Sequence, residues 1–188
     1  MKFPIIAAIL FVVALPAERA EAQRQDQFVW GIGGGATIPS GWAADNHTTG
    51  GHGLLMLGIG AVDSPFGIRI EGMYSSLGDN EGDSLAVDQG SARVFTLTGN
   101  AMFSIYGSNR RLYAVAGAGG FWYNPERSGS STLNDFMVGA GLGLWFPGLH
   151  GFVETRWVNL YRALPDPVTG LRGKKSARLF PVTLGIMF

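Results

Sequence analysis

Residues 92–106 read ARVFTLTGNAMFSIY, and this stretch decides the fold class. One set of alternate positions is apolar or small: Phe95, Leu97, Gly99, Ala101, Phe103 and Ile105. The set between them is mostly polar: Thr96, Thr98, Asn100, Met102 and Ser104. Successive side chains of a strand point to opposite faces of a sheet, so a period of two predicts a β-strand with one apolar face. The stretch therefore predicts a strand that separates two different environments.

Eight segments of about ten residues share this patterning. They are 27–38, 53–62, 67–77, 92–106, 112–123, 135–146, 151–161 and 177–188. Long polar connections near 39–52, 78–91, 124–134 and 162–176 alternate with tight turns at 63–66, 107–111 and 147–150. Outer-membrane barrels show this alternation because their short turns all lie at one end and their longer loops at the other. The sequence predicts an all-β fold, an eight-stranded antiparallel up-and-down transmembrane β-barrel.

Composition excludes several other classes of protein. The 188 residues contain no Cys, 14 basic and 14 acidic side chains, and 29 Gly, and only 15% of them are charged. Without Cys there are no disulfides, thiolate metal sites or Cys nucleophiles. A neutral chain offers no basic face to a phosphate backbone. We therefore expect no cofactor, no metal and no nucleic-acid partner.

The first 22 residues have the features of an export signal. Met1 and Lys2 precede an apolar run over 3–15, and Ala20-Glu21-Ala22 fits a small-residue cleavage site. The run is too short to span a bilayer, which takes about 20 helical residues. We expect residues 1–22 to be a cleaved signal peptide and residues 23–188 to form the barrel, placed in a bacterial outer membrane.

Two pairs of charged residues, in the third and the seventh predicted strands, have to face away from lipid. Arg69 and Glu71 share one parity, and Glu154 and Arg156 share another. An Arg on the lipid face costs about 2–4 kcal/mol at the bilayer midplane, whereas two bases and two acids in the lumen can pair. We predict a lumen charge network of these four residues. Inward Gly would leave room for it, at positions 31, 33, 35, 139, 141 and 143.

Aromatic residues near the strand ends predict a girdle at each membrane surface. At the end with the tight turns, the predicted girdle members are Trp30, Tyr113, Phe146 and Phe188. At the end with the long loops they are Tyr74, Phe95, Phe121 and Phe136.

The chain resembles the small OmpA/OmpX-type outer-membrane barrel domains. The resemblance is carried by Thr98-Gly99-Asn100, by YAVAGAG at 113–119, by FVETR at 152–156 and by PVTLGIMF at 181–188. It implies that the last strand is a C-terminal signal read by the barrel-assembly machinery, through Phe180, Val182, Leu184, Ile186 and Phe188. We expect no counterpart of the periplasmic domain of full-length OmpA. Pro181 departs from an interior strand because it lacks the N–H for the ladder, so we expect it at the loop-side rim or at a bulge.

Several functions fit such a barrel. We expect a structural or surface-interaction protein that meets outer-membrane lipid and is not an enzyme. The resemblance extends to barrel deacylases of lipid A, but 156–160 lacks the His of their late-strand motif. One alternative is a narrow, porin-like channel or a lateral conduit for small apolar molecules. Another is a soluble lipocalin-like barrel with the opposite orientation. The basic loop at 162–176 could meet lipopolysaccharide phosphates, and the oligomeric state stays open.

Overall fold

The computed structural model describes residues 28–59, 65–79, 90–106, 112–126, 132–165 and 172–188. The predicted signal peptide and the predicted turn at 107–111 lie outside the described residues. Eight strands are present: β1 (Phe28–Ser40), β2 (His47–Ile59), β3 (Phe66–Asp79), β4 (Ala92–Tyr106), β5 (Leu112–Pro125), β6 (Leu133–Phe146), β7 (Gly151–Pro165) and β8 (Arg172–Met187). A short helix, α1 (Trp42–Asn46), joins β1 to β2, and a 3₁₀ turn (Pro147–Leu149) joins β6 to β7. No helix in the described part of the chain is long and apolar enough to cross a membrane.

Each strand pairs antiparallel with its sequence neighbours, and β8 pairs with β1, so the barrel is closed. The predicted eight-stranded up-and-down fold is confirmed. At the seam, the backbone N–H of Trp30 donates to the Phe188 carbonyl at 2.9 Å, and the Phe188 N–H returns a bond to the Trp30 carbonyl at 2.8 Å. The last residue therefore completes the ladder, and no open sheet edge remains at this point.

The two faces of the barrel wall differ in kind. Apolar side chains point outward along every strand, for example Leu55 and Leu57 in β2 and Ile68 and Ile70 in β3. Inward positions carry the buried polar and charged residues. A soluble lipocalin-like barrel has the reverse orientation, because its outer face meets water. The orientation therefore contradicts the soluble alternative and fits a barrel surrounded by lipid.

The predicted first long loop, 39–52, is too long, because β1 extends to Ser40 and β2 begins at His47. Residues 39–52 were expected to form a loop, but β1 and β2 remain paired through Ala36 with Gly51 and Thr37 with Gly50. Only α1 and its flanking residues leave the sheet. A bulge lies between Thr48 and Gly51. The start of β2 could not be recognised in the sequence, because the alternation of apolar and polar residues ends where the outward face no longer contacts lipid.

Pro181 is the tenth of the 16 residues of β8, and its side chain is turned inward and buried. It therefore lies inside the strand and not at the expected loop-side rim. It is in register with Thr37 of β1, but the β7–β8 pairing skips from Thr155–Val182 to Val158–Leu179. The ladder is thus interrupted on one side of β8, as expected where an N–H is missing.

Candidate functional site

The interior changes character along the barrel axis. Toward the turn end it is apolar, with Val29, Met102, Phe152 and Met187 buried there. A second apolar cluster fills the loop end, where Val94, Phe121, Leu160 and Leu179 are among its members. Between them lie the buried polar side chains. The candidate site is therefore the polar middle together with the two apolar layers that enclose it.

The four charged residues predicted for the lumen meet in one cluster. Arg69 Nη2 donates to Glu154 Oε2 at 2.7 Å and to Oε1 at 3.0 Å, and its Nε pairs with Glu71. Arg156 Nη1 lies 2.5 Å from Glu71 Oε2, and its Nε pairs with Glu154. Each carboxylate thus contacts both guanidinium groups. The formal charges of the four side chains cancel, which allows them to be buried together.

Neutral polar groups extend this cluster. The hydroxyl of Tyr113 donates to Glu154 Oε2 at 2.8 Å, and Arg156 Nη1 donates to Asn100 Oδ1 at 3.4 Å. The Asn100 amide in turn donates to Thr98 Oγ1 at 2.9 Å. Arg69, Glu71 and Glu154 are each 2% exposed, and Arg156 is 12% exposed. The network is therefore larger than the four charges and almost closed to solvent.

Glycine at two inward positions of β6 makes space for this network. A Cβ added at Gly143 would lie 2.2 Å from Cζ of Tyr113, and one at Gly141 would lie 2.7 Å from Cγ of Arg156. Real side chains do not approach so closely. The Tyr113 ring therefore requires glycine at 143, and at 141 the Thr155 carbonyl oxygen, 2.1 Å from the added Cβ, requires it together with Arg156.

A second polar group surrounds His52, on the part of the wall that runs from β8 through β1 and β2 to β3. Its Nδ1 is 3.0 Å from the Thr37 hydroxyl, and its Nε2 is 2.8 Å from that of Thr183. Ser75 is 3.2 Å from the same Thr37 oxygen. Thr183 is in register with Glu154, so this group adjoins the charge cluster. A small cavity bordered by Arg156, Thr183 and Pro181 lies between the two.

The loop-end layer has a different lining. Its side chains come from α1, β2, β3, β4, β5, β7 and β8: Trp42, Ala43, His47, Leu77, Val94, Phe121, Tyr123, Leu160, Ala177 and Leu179. We call the space among them the loop-end chamber. Within this lining, His47 Nε2 and the Tyr123 hydroxyl form a hydrogen bond of 2.6 Å. Trp42 is half-buried and covers the layer from α1.

Two predicted girdle members are wrong. Tyr113 is 4% exposed and Phe121 is 3% exposed, so both side chains lie inside the barrel. The outward face of β5 consists of Ala114, Ala116, Ala118, Gly120 and Trp122. Because most of these residues are small, the hydropathy of the strand does not indicate which face is outward. The cross-strand register could have found it, because Trp122 pairs with the outward Phe95 and the two rings lie 5.5 Å apart.

The other six predicted girdle residues point outward: Trp30, Tyr74, Phe95, Phe136, Phe146 and Phe188. Trp30 stacks on Phe188 with ring centroids 4.7 Å apart. The predicted assembly residues also share the outer face of β8: Phe180, Val182, Leu184, Ile186 and Phe188. They are thus placed where another protein or lipid could contact them in the folded barrel.

An exposed ion pair at the loop end contrasts with the buried cluster. Arg93 Nη2 lies 2.5 Å from Glu126 Oε1, and the Ser91 hydroxyl donates to the other carboxylate oxygen. The hydrogen bond from Ser91 and the nearby charge of Arg93 lower the pKa of the Glu126 carboxyl. The sequence does not predict this pair, because Arg93 lies in β4 and Glu126 follows the end of β5, 33 positions later.

Comparison with known proteins concerns the fold. No model of a known protein family matches the chain, and no curated protein matches it. Among solved structures, the attachment invasion locus protein Ail of Yersinia pestis is similar, with 16% identity and a TM-score of 0.44 over 86% of this chain and 97% of Ail. Ail in complex with the heparin analogue sucrose octasulfate gives 17% identity and a TM-score of 0.47 over the same shares. A role for this chain therefore has to be argued from its own residues.

Proposed function

We propose that the protein is a small integral barrel of the bacterial outer membrane with a structural or surface-interaction role and a plugged lumen. The observation that carries the proposal is the opposition of the two wall faces. Apolar side chains point outward on every strand, and the charge cluster of Arg69, Glu71, Glu154 and Arg156 is enclosed. The outward face can contact lipid because it is apolar, and the charges on the inward face can be buried because they form ion pairs.

The interior favours a closed barrel over a channel. An eight-stranded barrel is only wide enough for its own side chains. Here the charge cluster crosses the lumen from β3 to β7, and apolar layers lie above and below it. An ion would have to cross both apolar layers, so we propose that the barrel does not conduct.

We also propose a role without catalysis. His52 is held between the hydroxyls of Thr37 and Thr183, and His47 contacts the Tyr123 hydroxyl. The His of a Ser-His-Asp triad has an orienting acid on one ring nitrogen and a nucleophile on the other. Hydroxyls on both sides of His52 provide a structural support instead.

The proposed partners follow from position. The outward residues of β8 are available to the barrel-assembly machinery, and the apolar band to outer-membrane lipid. Between Phe180 and the loop end of the barrel, β7 and β8 carry basic residues. Arg162 is in register with Lys175, and Arg178 with Asn159. Lipopolysaccharide phosphates are the proposed contact of this end.

Electrophoresis and fractionation test the membrane assignment. We expect the unheated protein to migrate faster than the heated protein on an SDS gel, and to sediment with outer membranes. Recovery in the soluble periplasmic fraction alone would overturn the assignment.

Planar-bilayer recording tests the plug. Folded wild-type protein should carry no steady current, and Arg156→Ala should raise conductance or lower stability because Glu71 and Glu154 lose a partner. A stable, steady current from verified wild-type barrels would refute the plugged lumen.

A further inference from the structure

The seam, where β8 pairs with β1, differs from every other pairing in the barrel. The other pairings join strands that follow each other in the sequence, whereas the seam joins the last strand to the first. Because loop-closure entropy grows with the length of chain between two contacts, the seam is the pairing with the highest entropic cost. It is therefore the place where the wall opens most readily unless further contacts hold it.

Three aromatic side chains meet at the turn end of the seam. The ring of Phe188 stacks on that of Trp30 in β1, with ring centroids 4.7 Å apart and an angle of 26° between the planes. The imidazole of His150 stacks on the same Phe188 ring, at 6.0 Å and 15°. His150 directly precedes β7, and β8 lies between β7 and β1 in the barrel. Phe188 therefore has an aromatic partner on each side of β8.

Main-chain hydrogen bonds support this arrangement on both sides of β8. Trp30 and Phe188 exchange two bonds, and the N–H of Met187 donates to the His150 carbonyl at 2.7 Å. The residues that carry the rings are thus held by the ladder on the side of β1 and by the turn on the side of β7. The three rings add a contact between side chains to these backbone bonds.

His150 has a backbone conformation that most side chains avoid. Its φ is 49°, and in the described part of the chain it is the one non-glycine residue with a positive φ. Gly and Asn adopt this left-handed conformation at lower cost. The side chain of His150 is exposed, so burial in a core does not account for it. Its contact with the Phe188 ring does, since residues in such conformations often serve a specific contact.

We propose that Trp30, Phe188 and His150 form a latch that keeps the barrel wall closed at the turn end of the seam. Phe188 is the central ring, Trp30 ties it to β1, and His150 ties it to the turn before β7. Sideways opening between β8 and β1 then requires the Phe188 ring to leave Trp30. The latch goes beyond the structural role proposed above, because it assigns resistance to sideways opening to three side chains.

Amide hydrogen exchange, measured by NMR on the full-length protein folded in detergent micelles, tests the latch. Trp30→Leu removes one ring and keeps an apolar side chain toward lipid. His150→Asn removes another ring and keeps a residue that accepts the positive φ. In each variant, we expect the seam amides of Met187 and Phe188 to exchange about two- to tenfold faster, because an aromatic pair contributes about this factor to a local opening equilibrium.

The β3–β4 hairpin provides the matched control. Its Phe66 and Phe103 rings lie 5.0 Å apart, and the nearby Ser104 N–H donates to the Pro65 carbonyl at 2.8 Å. Exchange at Ser104 should stay unchanged in both seam variants. Phe103→Leu removes a ring from this hairpin, so it should speed exchange at Ser104 and leave the seam amides unchanged.

Trp30→Phe keeps an aromatic ring at the seam and should exchange more slowly at Phe188 than Trp30→Leu does. Gel mobility verifies the folding of each variant, and His150→Asn carries the test if Trp30→Leu does not fold. Exchange at the seam amides that stays at the wild-type rate in either folded variant would overturn the latch. An equal rise at Ser104 would do the same, and in both cases the membrane assignment would stand.

Discussion

The charge cluster and the loop-end chamber occupy the same barrel but are built on opposite principles. In the cluster, Arg69, Glu71, Glu154 and Arg156 are held by one another, so the loss of one leaves an unpaired charge with little water nearby. In the chamber, no charge needs a partner, and a one-turn helix forms the cover. The middle of the barrel therefore fixes the wall, whereas the loop end can vary at lower free-energy cost.

The largest expected effect comes from Glu154→Gln. The change leaves Arg69 and Arg156 sharing one carboxylate, and breaking a buried ion pair costs about 3–5 kcal/mol. Urea unfolding in detergent micelles, followed by gel mobility, measures the loss. Glu126→Gln is the control, because Glu126 also pairs with an Arg but lies on the exposed surface. Equal losses in the two variants would contradict the distinction between a buried and an exposed pair.

Tyr113→Phe should have the second largest effect. It removes one hydroxyl that donates to Glu154, and a hydrogen bond to a charged group contributes about 1.5–3 kcal/mol. The same unfolding assay measures it, with Tyr161→Phe on the lipid-facing side as control. A loss no greater than that of the control would contradict a stabilising hydrogen bond from Tyr113 to Glu154.

Trp42→Ala tests whether the chamber cover is separable from the barrel. Because Trp42 is half-buried on a single helical turn, we expect a loss of no more than about 1 kcal/mol. Hydrogen exchange should increase in α1 and stay unchanged in β3 and β7. A loss as large as that of Glu154→Gln would show that the two regions are not independent.

The smallest effect concerns the exposed pair at Glu126. The pKa of the Glu126 carboxyl is lowered by the hydrogen bond from Ser91 and by the charge and hydrogen bond of Arg93, so Ser91→Ala and Arg93→Gln should each raise it. A carboxyl with a lowered pKa stabilises the fold above its unfolded pKa, and this contribution is lost as the pH falls through the folded pKa. Carboxyl ¹³C chemical shifts across the acidic range measure it. An unchanged pKa in both variants would remove Ser91 and Arg93 as its cause.

Much of the fold could be predicted because one face of each strand meets lipid. Strand β4 was predicted with its observed bounds, since its outward face alternates cleanly over Ala92–Tyr106. Prediction failed where this contrast weakens. Residues 47–52 lie beyond the apolar band, where the outward face does not contact lipid, and the sequence pattern predicts a loop there. In β5 the outward face is mostly Ala and Gly, so Tyr113 and Phe121 were assigned to the wrong side.

The candidate site divides in the same way. The inward position of Arg69, Glu71, Glu154 and Arg156 could be predicted, since a charge facing lipid is costly. The addition of Tyr113 and Asn100 to the network could not, because it depends on which strands face each other across the lumen. The chamber could not be predicted either, since its lining comes from seven elements that are distant in sequence.

By itself, the sequence determined that this chain forms eight two-faced strands, because alternation with a period of two is a local property of neighbouring residues. It also determined that the four charges predicted for the lumen balance. Only the tertiary structure decided which residues meet: closing β8 onto β1 sets the register and brings β3 opposite β7. Contacts across a lumen depend on the shear and tilt of the whole barrel, and no local stretch of sequence contains that information.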